Sequence, residues 1–174
     1  MNLSGAFSWD NIGFLLDGLR VTVEVAFFTI VISILIGFLL GIVRYFEIPV
    51  VSKVVGAIVD IIRNLPLLLI IFFTYFALPQ LGISLNVFWS TVIAMSIFEA
   101  SMISEILRGG LKALPNGQME AGLATGLKKI NVMFHILLPQ ATKEILPSLV
   151  SQLIALIKDT SLATIITLPE ITHN

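Results

Sequence analysis

Apolar positions occur along this chain in long unbroken stretches, without the regular polar alternation of a helix buried on one side only. Between Arg20 and Arg44 lie 23 residues, Val21 to Val43, and Glu24 is their only charge. At about 1.5 Å per residue such a helix is roughly 34 Å long, enough for a hydrocarbon core of about 30 Å. It is too long for a secretory h-region, and neither a basic start nor an A-x-A site frames it. From Asn64 to Phe98 no residue is ionisable at neutral pH. That run exceeds one crossing, and Leu78-Pro79-Gln80-Leu81-Gly82 supplies the break, because Pro and Gly interrupt helices. The pattern predicts spans at about 21–43, 54–78, 87–107 and 145–168, with Asn86, Phe88 and Trp89 suited to an interface. Residues 109–142 are the one substantial polar stretch. Pro115-Asn116-Gly117 there predicts a helix start, with Glu120 early enough to suit the dipole. The fold class expected is all-α: residues 1–174 form a single domain, a polytopic membrane helix bundle with a short amphipathic helix outside the bilayer.

Composition sharpens this. Hydrophobic residues make up 57% of the 174 and charged residues 12%, and the mean hydropathy is +1.02, against about 25% charged in ordinary soluble domains. A water-soluble domain is excluded. The net charge of -1 gives no basic footprint for nucleic acid. With no Cys, and only His135 and His173, neither a metal site nor a nucleophile–base set for an intramembrane enzyme is expected. The distribution of Lys and Arg sets the orientation: with the N-terminus outside, seven (Arg44, Lys53, Arg108, Lys112, Lys128, Lys129, Lys143) face the cytoplasm against Arg20 outside. The helix near Glu120 is then cytoplasmic.

That cytoplasmic stretch carries Glu120-Ala121-Gly122, then Gly126, then nine residues to Ile136-Leu137-Leu138-Pro139. It resembles the EAA loop of binding-protein-dependent ABC importer permeases, with Gly122 where the third position is usually Ala. Three further stretches resemble the polar amino acid branch of that family: Arg63-Asn64-Leu65-Pro66, Ser104-Glu105-Ile106-Leu107-Arg108-Gly109-Gly110, and Lys158-Asp159-Thr160-Ser161-Leu162. Met102 stands where such permeases often have an aromatic residue, and their usual last span has no counterpart before Asn174. The resemblance implies a multi-pass permease of a bacterial cell membrane, working as a dimer with a second copy or a homologue. Its partners would be two ATPase subunits inside, a solute-binding protein outside and membrane lipid. Glu120, Ala121, Gly122, Gly126, Ile136, Leu138 and Pro139 would form the ATPase-coupling loop. No G-x4-G-K-[ST] pattern occurs, so the chain is not expected to be an enzyme or to hold a cofactor, and ATP and Mg would belong to the partner.

For the substrate, Arg63 lies ten residues beyond Lys53 and Glu99 nine before Arg108, which places both near the bilayer midplane if helical. Intramembrane charges cost at least about 2.5 kcal/mol and default to functional hypotheses. A zwitterionic amino acid needs both signs, Arg63 for the α-carboxylate and Glu99 for the α-ammonium. Asn64 and Pro66 adjoin that site, since a Pro leaves a carbonyl of the preceding turn without its partner. A second reading stays open, in which Asp60 and Arg63 simply neutralise each other at i, i+3. Lys158, Asp159, Thr160 and Ser161 are read either as a ligand contact or outer gate, or as a polar hinge or a contact to the twin subunit. Glu105 and Arg108 are expected to pair, and Phe72, Phe73, Tyr75 and Phe76 to pack or face lipid. Gly37 and Gly41 form a G-x-x-x-G that permits close helix approach. The rival function is a gradient-driven secondary transporter or channel subunit, with Asp60, Arg63 and Glu99 as relay groups.

Overall fold

The computed structural model describes residues 9–172, so His173 lies outside the described residues. Helix α1, Trp9–Tyr45, is followed by α2, Val51–Asn64. Next come α3, Leu67–Phe72, with a π turn at Phe73–Ala77 and a 3-10 turn at Leu78–Leu81, and then α4, Val87–Ala113. Helix α5, Gly117–Ala124, is short, and α6, Lys129–Val132, continues through a π turn at Met133–Leu137 into α7, Leu138–Asp159, which ends in a 3-10 segment, Thr160–Ile166. No strand occurs among the described residues. Three helical stretches are long and apolar enough to cross a membrane, Ile12–Tyr45, Val87–Ala113 and Lys129–Ile166, or four if α2 and the α3 stretch together make one bent span.

Two helix boundaries differ from expectation. The expected continuous span at 54–78 is broken at Leu65-Pro66, where Pro66 has ψ 129° and caps α3 from outside it. Proline lacks the N–H that would continue the ladder and clashes with the preceding turn. The last long helix starts at Lys129, inside the polar stretch expected at 109–142, because Lys128 is extended (ψ 148°) and releases a fresh helix there. The described residues group into two compact units: those up to Ile32 with Leu65–Glu99 and the stretch from Ile154 onward, and Ser33–Asn64 with Ala100–Leu153.

Both π turns stand just before a proline, Pro79 and Pro139. A ring at these positions would strike the carbonyls of Tyr75 and His135, four residues back, and widening the turn moves them aside. The predicted break after Leu78 is present: Gly82 adopts φ 85° and its N–H donates to the Pro79 carbonyl at 3.0 Å. Asn86 opens α4 by accepting the Trp89 N–H at 2.9 Å, a side-chain N-cap.

Helix α1 buries little beyond a stripe of mostly small residues that includes Thr22, Ala26, Thr29, Ser33, Gly37 and Gly41. In the second unit the glycines pack on α4. A methyl group on Gly37 would lie 2.8 Å from Ile103 Cβ and 2.9 Å from the Ala100 carbonyl oxygen, and one on Gly41 would lie 3.0 Å from the Ser104 carbonyl oxygen. Without a water-driven force between membrane helices, such backbone approach is what supplies packing. The core of this unit joins Leu107, Leu111, Val132, Met133, Leu137, Ala141 and Ile145.

Candidate functional site: an ion-paired cluster, a coupling helix and a buried carboxylate

In the second unit one arginine ties three helices together. Arg44, in the last turn of α1, donates from Nη2 to Asp60 Oδ1 on α2 at 3.3 Å, and its Nη1 lies 2.8 Å from Glu105 Oε2 on α4. Its side chain is 9% exposed. Arg63, one turn after Asp60, reaches Asp60 Oδ1 at 3.9 Å and Glu105 Oε2 at 3.5 Å through Nη1, and its Nε is buried without a hydrogen-bond acceptor. Arg108 donates to Glu105 through both Nε and Nη2. The expected pairs Asp60–Arg63 and Glu105–Arg108 are therefore present, but as parts of a wider cluster. Asn64 is turned back on its own helix, donating to the Asp60 carbonyl at 2.7 Å. A cavity of about 410 Å³ adjoins the cluster, lined by Arg63, Met102, Glu105, Gly109, Glu144, Ser148 and Gln152 among others.

The same unit holds the EAA residues. Helix α5 is anchored from one side: Met119 packs against the core together with Leu114 and Ile136. Gly122 is buried, and a methyl group there would lie 2.7 Å from Val132 Cγ2 and 3.3 Å from Ile136 Cδ1. The glycine at the third triplet position thus answers to a β-branched Val132 across the turn. Gly126 ends the motif at φ 84° with open space where a Cβ would stand, and its N–H donates to the Leu123 carbonyl at 2.9 Å. Outward lie Glu120, Ala121 and Ala124, with Leu123 and Leu127 each about two-fifths exposed. Ile136 and Leu138 are half-buried and Pro139 is exposed, while Leu137 between them is in the core.

The first unit contains the remaining predicted residues. Glu99 is fully buried on α4. The segment Thr160–Ile166 packs against α3, so the chain just after Pro66 and the chain just after Lys158-Asp159 are brought together. Lys158 is exposed and Asp159 half-buried. The buried Thr160 hydroxyl donates to the Ile157 carbonyl and Ser161 to the Lys158 carbonyl, both at 2.7 Å. These bonds accompany the change from α to 3-10 helix. Phe72 and Phe76 stack at 5.5 Å, with Phe73 and Phe76 largely exposed.

Two functional arrangements were missed from sequence. Arg44 was read only as a topology charge, because its partners lie on other helices and no spacing rule reaches them. Glu170, fully buried, accepts the Thr164 hydroxyl at 2.7 Å and the Thr172 N–H at 2.9 Å, while the Ile171 N–H donates to Thr22 Oγ1 at 3.2 Å. The Glu170 bonds close the segment after the last helix on itself, and the Ile171 bond ties it to α1.

The chain is 48% identical over 174 residues to the probable glutamine ABC transporter permease protein GlnP of Bacillus subtilis, covering all of this chain and 80% of that protein. It is 34% identical over 172 residues to the arginine transport system permease protein ArtQ of the same organism, covering 98% and 78%. A solved amino acid ABC transporter superposes with a TM-score of 0.84 at 27% identity, covering 94% of this chain and 77% of that one. The MetNI methionine ABC transporter shares the fold, with a TM-score of 0.81 at 21% identity over 92% of this chain and 77% of that one. Residues 33–171 match the family described as binding-protein-dependent transport system inner membrane component, and the chain belongs to that family.

Proposed function

We propose that this chain is the permease subunit of an ATP-driven importer for a polar amino acid, paired with a second copy or a homologue. The observation that carries the reading is α5: an eight-residue helix seated on the core by Met119 and Gly122 that leaves a small-residue and apolar face outward. Small residues let a partner backbone approach, and exposed Glu120 and Lys128 supply charge at the rim. The partner is an ATPase subunit that binds ATP and Mg, and an extracytoplasmic binding protein delivers the substrate. Rotation of the ATPase halves moves α5, and the helix from Lys129 carries that motion into the bilayer, opening the path alternately to each side. The excess of Lys and Arg on one side supports an N-terminus outside the cytoplasmic membrane.

Relatives named for glutamine and arginine share α-amino and α-carboxylate groups as the chemistry to be held. Arg63, with a buried Nε lacking an acceptor, is suited to the carboxylate, and buried Glu99 to the ammonium. Asn64 beside Arg63 in the second unit, and Pro66, Lys158, Asp159, Thr160 and Ser161 with Glu99 in the first, are the other proposed residues, and in the first unit the paired segments after Pro66 and Asp159 frame theirs. The test is ATP hydrolysis in liposomes by the permease with its ATPase and binding protein, glutamine being tried first. Stimulation by one polar amino acid, abolished by Gly126→Trp, is the expected result. An ATPase that fails to associate with folded permease overturns it. For the site residues, the expected result of Arg63→Gln and Glu99→Gln is weaker uptake affinity; unchanged affinity in folded protein removes them.

A further inference from the structure

The end of α1 and the start of α2 carry features that coupling and transport leave unused. A cavity of about 590 Å³ opens there, lined on its polar side by Arg44, Lys53 and Arg108 together with the carboxylates Glu47 and Asp60 and by Ser52, and on the other by Ile48 and Pro49. Its position is a span end: Arg44 lies in the last turn of a membrane-length helix, and the chain turns through five residues before α2 begins. By length and composition, the end of such a helix falls near the level of phospholipid headgroups. Lys53 has no ion pair among the described residues. The carboxylates nearby are already engaged, Glu47 by Lys112 at 3.1 Å and Asp60 by Arg44 at 3.3 Å, and Glu105 by arginines. Three cations therefore line the cavity against two carboxylates, both already ion-paired. Beside the cavity stand exposed Ile48, Val50, Val51 and Val54, an apolar strip placed to lie along acyl chains.

We infer that this cavity binds the headgroup of an anionic phospholipid, with Lys53 as the principal phosphate contact and Arg44 and Arg108 as the cationic floor. Charge complementarity selects the lipid: a surplus of positive charge beside an apolar strip matches a phosphate carried on acyl chains, whereas free phosphate has no use for the strip. Ser52 donates to the Val43 carbonyl at 2.7 Å, which holds Lys53 in place at the rim.

The experiment places the assembled transporter in nanodiscs of equal phosphatidylglycerol and phosphatidylcholine and identifies retained lipids by native mass spectrometry. A photo-crosslinking phenylalanine derivative at Ile48 locates them. Phosphatidylglycerol is expected to be enriched several-fold, to cross-link at position 48, and to lose about fivefold of its enrichment in Lys53→Gln, since one cation near a membrane surface contributes about that factor. Equal retention of the two lipids by the wild-type protein, or undiminished enrichment in folded Lys53→Gln, overturns the inference. So does displacement of the bound lipid by millimolar inorganic phosphate, or cross-linking of position 48 to a protein subunit alone. The wild-type comparison decides the matter even if the variant fails to fold.

Discussion

Val50 is a β-branched residue held at φ 68°, three residues after Glu47 at φ 51°. A left-handed conformation is uncommon for any side chain and costs most for a branched one. Such strain amounts to about 1–3 kcal/mol and persists only where surrounding structure imposes it. Here the imposing contacts are the turn bonds, Val51 N–H to Pro49 carbonyl at 2.8 Å and Val54 N–H to Val50 carbonyl at 2.9 Å. Because the Val50 side chain is 69% exposed, Val50→Gly sacrifices little packing and is expected to raise stability by about 1 kcal/mol. Thermal unfolding in detergent reads this directly, and an unchanged or lowered midpoint contradicts it. Gly122 presents the opposite case, since its conformation is ordinary and its surroundings are full. Gly122→Ala is expected to cost about 1–3 kcal/mol through overpacking on Val132, and Val132→Ala in the same chain is expected to restore most of it. A double-mutant cycle by thermal unfolding checks the coupling.

Among elements, the Arg44 cluster shows what a sequence can and cannot convey. Asp60 with Arg63 and Glu105 with Arg108 were legible because both pairs obey helical spacing, i to i+3. The G-x-x-x-G on α1 was legible for the same reason, although only the structure shows Ala100, Ile103 and Ser104 beneath it. The link from Arg44 to Asp60 and Glu105 was not legible, since it depends on which helices become neighbours, and hydrophobic pattern does not encode that. The energetic weight falls on the unread part. Arg44 is the most buried of the charged groups in the cluster, and removing one partner of a buried pair leaves the others uncompensated. Arg44→Met is expected to destabilise the protein by about 3 kcal/mol, with Arg108→Met costing less because Glu105 keeps Arg44 and Arg63. Comparative thermal unfolding of the two variants tests the ranking.

For the whole molecule, an all-α architecture with several helices of membrane-crossing length was readable from run lengths and punctuation. Their division into two compact units was not. Span lengths record only the thickness of the bilayer, while the units draw on pieces from all along the sequence. The break at Pro66 lay in view as a residue, yet a hydropathy pattern sums over it. Of the proposed site, the residue types came from the sequence, and the pairing of the segments after Pro66 and Asp159 and the joining of Arg63 to Arg44 through Glu105 came from the fold. The π turn at Met133–Leu137 belongs to this scale as well. A widened turn inserts one residue into an otherwise α-helical register, and each residue is worth about 100° of rotation. The π turn therefore sets the azimuth at which α5 is presented relative to α7, much as an index pin sets a shaft. Deleting Phe134 together with Pro139→Ala would restore straight α-helix and turn everything before it by about that angle. The expected outcome is a folded permease whose partner ATPase no longer responds to substrate, measured in liposomes, and retained stimulation would show that azimuth is not what the turn provides.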